Sequence, residues 1–247
     1  MRLRSVLAAT VLLMAGCTSS GGTGASSAPP TSSASSKLAA TVADTMRKGM
    51  ATLSSAHLVI DAGGLGGKSV GDVKYSNGQA TASRLTINAG GPATLVTIGD
   101  TTYGKLPPGR NTTGKPWVIV SADSNNEFVR ALSSQVGLTK AATSLPAIAD
   151  AVATASTITD KGTTAQGHSY ALQLDPNKIA DPNLGGALRD LGENPVPVTL
   201  LLDKSGRPTQ IKILVNLGSS SFPILIDVSR FNAPVTITAP PADQVAK

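Results

Sequence analysis

Lys68 and Ser69 are the first residues whose types and spacing could do chemistry, because they fit two catalytic patterns at once. Read from Ala62, the stretch AGGLGGKS matches the loose form of the P-loop, in which backbone N–H groups and the lysine hold phosphates. In a shifted frame, residues 67–71 read G-x-S-x-G, the nucleophile elbow of serine hydrolases. The sequence therefore raises an ATPase and a hydrolase as alternatives.

Both patterns require a helix directly after the serine. Residues 69–78 instead alternate like a strand and end in the turn sequence SNG. A triad would also need a histidine downstream, and the only one is His168, in a predicted hairpin turn. A possible Walker B segment, residues 198–203, follows Pro195 and Pro197, which favours an outer strand. We therefore predict that GGLGG is a hairpin loop, that no nucleotide binds and that the chain is not an enzyme.

Metal and cofactor chemistry is not indicated either. The chain has two histidines and one cysteine, and its carboxylates are scattered along the sequence. His57 opens a predicted strand, where a hydrogen-bonded structural role is expected. We predict neither a metal site nor a cofactor.

The N-terminal residues are typical of an exported lipoprotein. Arg2 and Arg4 precede a short apolar run at residues 6–14, too short to span a bilayer and typical of a signal peptide. Small residues then precede Cys17, the only cysteine, as in a bacterial lipobox. We expect residues 1–16 to be removed and Cys17 to carry the lipid that anchors the protein at the outer face of the cell membrane.

Three segments follow from this reading. After the signal peptide at 1–16, the lipidated cysteine begins a tether at 17–36 whose later residues are only Ser, Thr, Gly, Ala and Pro. Residues 37–247 form one predicted domain. Loss of Arg2 and Arg4 leaves 19 basic against 15 acidic residues, a net charge of about +4 without a basic cluster, so nucleic acid is not an expected partner.

The predicted domain alternates between helical and strand patterns. Leu38, Val42, Met46, Met50 and Leu53 predict a first helix that ends near residues 54–55. Further apolar stripes predict one helix before and another after a break near Gly137, and a short helix closed by Gly192. Strands are predicted at residues 57–61, 69–75, 82–88, 94–98, 101–106, 117–120, 156–164, 170–174, 196–202, 211–217, 224–228 and 235–238. The order predicts an α+β domain with a strongly curved antiparallel sheet and helices inserted between its halves.

The chain also resembles the LppX/LprAFG lipoproteins of the mycobacterial type. The resemblance lies in the first helix running into LSSAHLV at residues 53–59, in VTIGDTTY at 96–103 and in PVPVTLLLD at 195–203, with the turn at Gly206 and the strand at 210–214. The order and spacing of these segments carry it from about Lys37 to Pro241, together with the lipobox.

The resemblance implies a half-barrel whose concave face carries helices that enclose an apolar cavity. It implies that this cavity binds long-chain lipids or glycolipids and that the protein carries them from the plasma membrane towards the cell envelope, with a membrane lipid exporter as a possible partner. The acylated cysteine of such proteins matches Cys17. With the resemblance, we expect the cavity to be lined by Phe128, Leu132, Val136, Val198, Leu200, Leu202, Ile211, Ile213 and Val215.

Two alternatives to a lipid carrier stay open on the sequence. The apolar rows could close into a filled core, which would make the chain a non-catalytic interaction or assembly lipoprotein of the envelope. An extracellular hydrolase that uses Ser69 is the third hypothesis. The volume of the interior distinguishes the first two.

Overall fold

The computed structural model describes residues 32–63, 67–88, 91–107, 109, 114–192, 194–217 and 220–246. Cys17, the predicted signal peptide and most of the predicted tether lie outside the described residues. Within them there are four α-helices: α1 (Ser32–Met50), α2 (Glu127–Thr143), α3 (Leu145–Ala153) and α4 (Pro182–Asp190). None of the described helices is both long and apolar enough to cross a bilayer.

A single open sheet contains all of the strands in the described part of the chain. The twelve strands are β1 (Ser55–Asp61), β2 (Lys68–Ser76), β3 (Gln79–Asn88), β4 (Pro92–Ile98), β5 (Thr101–Lys105), β6 (Trp117–Ile119), β7 (Thr157–Thr164), β8 (Gly167–Leu174), β9 (Val196–Leu202), β10 (Pro208–Leu217), β11 (Ser220–Ser229) and β12 (Val245–Ala246). Their order is β12-β6-β5-β4-β3-β2-β1-β11-β10-β9-β8-β7, and only β12 and β6 pair in parallel. The α+β half-barrel predicted from the sequence is confirmed.

Two glycines on the helix-covered face show how the sheet bends. Gly71 and Gly104 lie in one cross-strand row with Leu58, Leu85 and Leu95. A Cβ atom at Gly71 would lie 1.9 Å from the backbone oxygen of Arg84, so a larger residue does not fit there. Glycine inside a strand is typical of such a close approach at a bend.

The helices are held on this face by specific contacts at their ends. The Asn126 side chain accepts hydrogen bonds from the N–H groups of Phe128 and Val129 and so starts α2. At the other end of α2, the Tyr75 hydroxyl donates to the Thr143 carbonyl at 3.1 Å. Burial raises the pKa of the Tyr75 phenol, which therefore stays a donor. Asp181 starts α4 in the same way, since it accepts from the Leu184 N–H at 2.8 Å.

The first helix begins earlier and ends earlier than the sequence predicts. It starts at Ser32, inside the predicted 17–36 tether, and Ser35 is buried with its hydroxyl accepting the Ile158 N–H of β7 at 2.9 Å. Because this contact is polar, the hydrophobic pattern did not reveal it. The helix ends at Met50, and Leu53 follows it in a turn. Leu53 fits the helical spacing because its side chain packs into the same core as the apolar residues of α1.

Gly137 does not interrupt α2, so the predicted break was wrong in position. A glycine inside a helix costs about 1 kcal/mol, which the packing of the flanking turns offsets. The helix instead ends at Thr143, and Ser144 caps it directly before Leu145 and Pro146. Proline has no N–H with which to continue the hydrogen bonding of α2, but it is accepted in the first turn of the next helix, where α3 begins.

The segment at 230–246 differs from the predicted final strand at 235–238. Most of this segment is not paired with any strand and lies over the face opposite the helices, where Ile237 packs on Ala82 and Val96. Only its last residues, β12, pair with β6. The prediction that Pro197 marks an outer strand was also wrong, because β9 lies between β8 and β10. Pro197 is accommodated because the pairing with β10 reaches only to Val198.

Candidate functional site: an apolar cavity under the sheet

A cavity of about 290 Å³ lies between the sheet and helices α2, α3 and α4. Its floor comes from β1, β2 and β8 to β11, and its roof comes from the three helices. The lining residues are Ile60, Ala62, Gly67, Ser69, Gln135, Leu138, Thr139, Ala141, Ala142, Ile148, Ala151, Val152, Leu174, Leu184, Ala187, Leu188, Asp190, Leu191, Val198, Leu200, Ile211, Ile213, Val215, Ile224 and Ile226.

The wall is aliphatic and leaves space because many roof residues are small. Ala141, Ala142, Ala151 and Ala187 project from the helices where longer side chains would reach the floor. Branched aliphatic residues of β9 to β11 form the opposite wall. Cavities with such walls stay dry and accept apolar ligands, so the arrangement suits an alkyl chain.

The mouth of the cavity is marked by lining residues that solvent also reaches. Leu138 is 46% exposed, which is unusual for a large apolar side chain in this structure. Asp190, the last residue of α4, is exposed as well. Ser69, Gln135, Thr139 and Asp190 are the polar side chains among the described lining residues.

The structure separates the nine residues predicted to line the cavity into two groups. Five of them do line it, all on β9 and β10: Val198, Leu200, Ile211, Ile213 and Val215. Leu202 is buried in the adjoining core and is not part of the wall.

Phe128, Leu132 and Val136 lie elsewhere. They pack with Leu85 and Leu95 in a separate core under β3 to β6. The roof residues of α3, α4 and the last turns of α2 were missed. The small residues among them, Ala141, Ala142, Ala151 and Ala187, were not expected in the wall, because the sequence-based prediction favoured large apolar residues.

Ser69 lies on the cavity wall but has neither of the two catalytic settings. It is in strand β2, so no helix follows it, and both motifs therefore lack their required geometry. Ser69 pairs with Ile60, whereas His57 pairs with Asp72 and so faces the other side of the sheet. His168 lies five strands away in the sheet order, on the order of 24 Å along the sheet.

Both histidines are instead paired with aspartates on the sheet. His57 Nδ1 lies 2.7 Å from Asp72 Oδ1 on the neighbouring strand. His168 lies in β8 and not in the predicted turn; its Nε2 is 2.6 Å from Asp160 Oδ1. The Gly162 N–H and the His168 ring both hydrogen-bond the Asp160 carboxylate and lower its pKa. Among the described residues, no cluster of His, Cys, Asp and Glu could hold a metal ion.

Comparison with solved structures finds the same fold in two mycobacterial lipoproteins. LprF from Mycobacterium bovis superposes with a TM-score of 0.53 at 17% identity, over 83% of this chain and 98% of the other. The lipoprotein LppX from Mycobacterium tuberculosis gives 0.53 at 14% identity, over 82% and 99%. No family model and no curated protein sequence matches the chain. At these identities the likeness concerns the fold, and it confirms the predicted structural resemblance to the LppX/LprAFG lipoproteins.

Proposed function

We propose that this protein binds the acyl part of a long-chain lipid or glycolipid in its apolar cavity and carries it from the plasma membrane towards the cell envelope. The observation that carries the proposal is the aliphatic cavity between the sheet and helices α2 to α4, open beside Leu138. An alkyl chain leaves a bilayer for such a site because each buried methylene recovers about 0.8 kcal/mol.

Membrane attachment is the second part of the proposal. Cys17, acylated after removal of residues 1–16, would hold the protein at the outer face of the cell membrane, and the residues before α1 would act as its tether. Several acyl chains make such attachment durable. A membrane lipid exporter is the kind of partner that would load the cavity. No nucleotide, nucleic acid or catalytic step is part of this mechanism.

The lipid-binding step is tested by native mass spectrometry of the chain from Thr18 onward, produced in its own host and in a foreign one. This chain keeps the tether and every described element but lacks the acylated cysteine. We expect a bound species that extracts into organic solvent and contains an acyl chain. A ligand-free mass from both hosts, without uptake of added glycolipid, would contradict the proposal and favour an interaction lipoprotein.

A cavity-filling variant shows whether the bound lipid is in the cavity. Ala187→Phe places a ring into the space from α4, and we expect it to reduce bound lipid at least tenfold. Ala180→Phe is the matched control, because Ala180 is exposed just before α4 and does not line the cavity. Equal lipid loss in both variants would place the lipid elsewhere, and thermal unfolding shows whether each variant is folded.

A further inference from the structure

The size of the cavity limits how much of a lipid it can take. An apolar cavity of about 150 Å³ holds one benzene ring, which has six carbon atoms. The cavity here measures about 290 Å³, roughly twice that volume. It therefore accommodates about twelve aliphatic carbons in all, which is one acyl chain of that length; two such chains would need about twice the volume.

The boundary of this volume is set by packed elements. On the helix side, Thr139, Ala141 and Ala142 of α2 are buried and line the cavity. The Tyr75–Thr143 hydrogen bond fixes the end of α2 over β2. The first half of α2 is anchored by the core around Leu132, which is fully buried. Widening the cavity for a second chain would require α2 to leave both contacts.

The mouth adds a preference for the polar part of the ligand. Asp190 lines the cavity and is exposed, and it is the last residue of α4, where the helix carbonyl groups make the negative end of the helix dipole. Ser69 and Gln135 are neutral polar residues elsewhere in the cavity lining. The described lining residues include no Lys or Arg. An anionic headgroup would therefore meet like charge there, whereas hydroxyl groups could donate to the Asp190 carboxylate.

We propose that the cavity selects lipids with a single acyl chain of about twelve buried carbons and an uncharged, hydroxyl-bearing headgroup, such as a monoacylglycerol. Free fatty acid anions bind more weakly because of the charge at Asp190, and two-chain lipids bind more weakly because only part of their apolar carbon fits the cavity. This inference rests on the proposed lipid binding and narrows its substrate class.

Direct titration of the chain from Thr18 onward with three probes tests the selection. The probes are 1-monolauroylglycerol, dodecanoate and dilauroylphosphatidylcholine, each followed by native mass spectrometry. We expect 1-monolauroylglycerol to bind one to one and at least ten times more tightly than either of the others. Tighter or equal binding of the two-chain lipid would overturn the inference while leaving lipid binding intact. Failure of all three probes, with no co-purified lipid, would overturn the proposed function itself.

A series of monoacylglycerols from eight to sixteen carbons measures the depth of the cavity. Affinity should rise about fourfold with each added methylene and level off near twelve carbons, where the cavity is full. A continued rise up to sixteen carbons would contradict the volume limit.

Asp190→Asn tests the role of charge at the mouth. We expect it to bring the affinity for dodecanoate to within about threefold of the affinity for 1-monolauroylglycerol, because the negative charge at the mouth is removed. Asp100→Asn is the control, because Asp100 is exposed in the turn between β4 and β5 and does not line the cavity. An unchanged preference in Asp190→Asn, or the same shift in both variants, would show that Asp190 does not select the headgroup.

Discussion

Helix α2 covers two regions of the same sheet, and it leaves space over only one of them. Its first half lies over the filled region, the core of Leu85, Ile87, Ala93, Leu95, Leu106, Val118, Val129 and Leu132. Its second half lies over the cavity region, the cavity walls on β1, β2 and β8 to β11 with α3 and α4.

The size of the facing side chains accounts for this difference. In the filled region, Leu132 reaches down so far that a Cβ atom on Gly104 would lie 3.4 Å from its Cδ1 and 3.1 Å from Val120 Cγ2. In the cavity region, Ala141 and Ala142 are the lining residues on the last turns of α2, and the cavity lies between them and the floor. Along one continuous helix, a leucine fills the interior in the first half and alanines leave it unfilled in the second half. The cavity therefore results from the change in side-chain volume along α2.

The largest effect should come from truncating one large residue in each region. Leu132→Ala should destabilise the protein by about 2–5 kcal/mol, because it removes buried methyl groups and leaves a new cavity. Ile213→Ala should cost about 1–2 kcal/mol, because Ile213 already borders empty space and is only half-buried. Urea unfolding of the two variants measures both values. Equal losses would show that the cavity region is as tightly packed as the filled region.

A smaller effect is expected when volume is added to each region. Gly104→Val should destabilise by about 1–3 kcal/mol, because its methyl groups would overlap Val120 and Leu132. Ala142→Val adds two carbon atoms at the cavity, where Gly104→Val adds three, and should cost less than about 1 kcal/mol, mainly through helix propensity. Thermal unfolding compares the pair. A larger loss for Ala142→Val would contradict the assignment of space to the second half of α2.

The smallest effect is expected in the turn at residues 203–207, which joins β9 and β10, two strands of the cavity wall. Burial raises the pKa of Asp203, but hydrogen bonds from the Arg207 side chain and backbone and from the Ser205 N–H outweigh it, so the pKa is lowered. Such a carboxylate stabilises the fold above its unfolded pKa of about 3.9, and that contribution is lost as the pH falls through the lower folded value.

Asp203→Asn should therefore lower the free energy of unfolding by about 1 kcal/mol at pH 7. The difference in this free energy between the variant and the unmodified protein should become smaller below about pH 4. Urea unfolding at pH 7 and at pH 3 measures this. Asp100→Asn, in an exposed turn of the other half of the sheet, should change stability by less than about 0.5 kcal/mol at either pH. A pH-independent loss in Asp203→Asn would mean that charge does not stabilise this turn.

Strand and helix types followed from the sequence where side-chain pattern and local geometry agree. The alternation of apolar residues in β9, β10 and β11 predicted that these strands exist and which side chains point inward. The strand pattern after Ser69 correctly argued against the helix that the P-loop and the nucleophile elbow both require. Polar contacts were not visible in that pattern. For this reason Ser35 was assigned to the tether although its hydroxyl is bonded to the Ile158 N–H at the sheet edge.

Part of the strand wall of the candidate site was predictable and its helical roof was not. Val198, Leu200 and Ile211 were identified because strand alternation states which side chains face inward. Alanines on the helices, such as Ala142 and Ala151, carried no comparable signal, because a small side chain is equally suited to close packing and to a cavity.

The sequence by itself determined the class of fold, the inward faces of the strands and the absence of a helix after Ser69. Only the tertiary structure decided that the apolar residues of β10 at positions 211, 213 and 215 face a cavity, whereas Leu132 fills the core beside it. The physical reason is that periodicity fixes the direction in which a side chain points. The distance to the opposing element depends on how α2 packs across the sheet, and that distance determines whether the interior is filled or open.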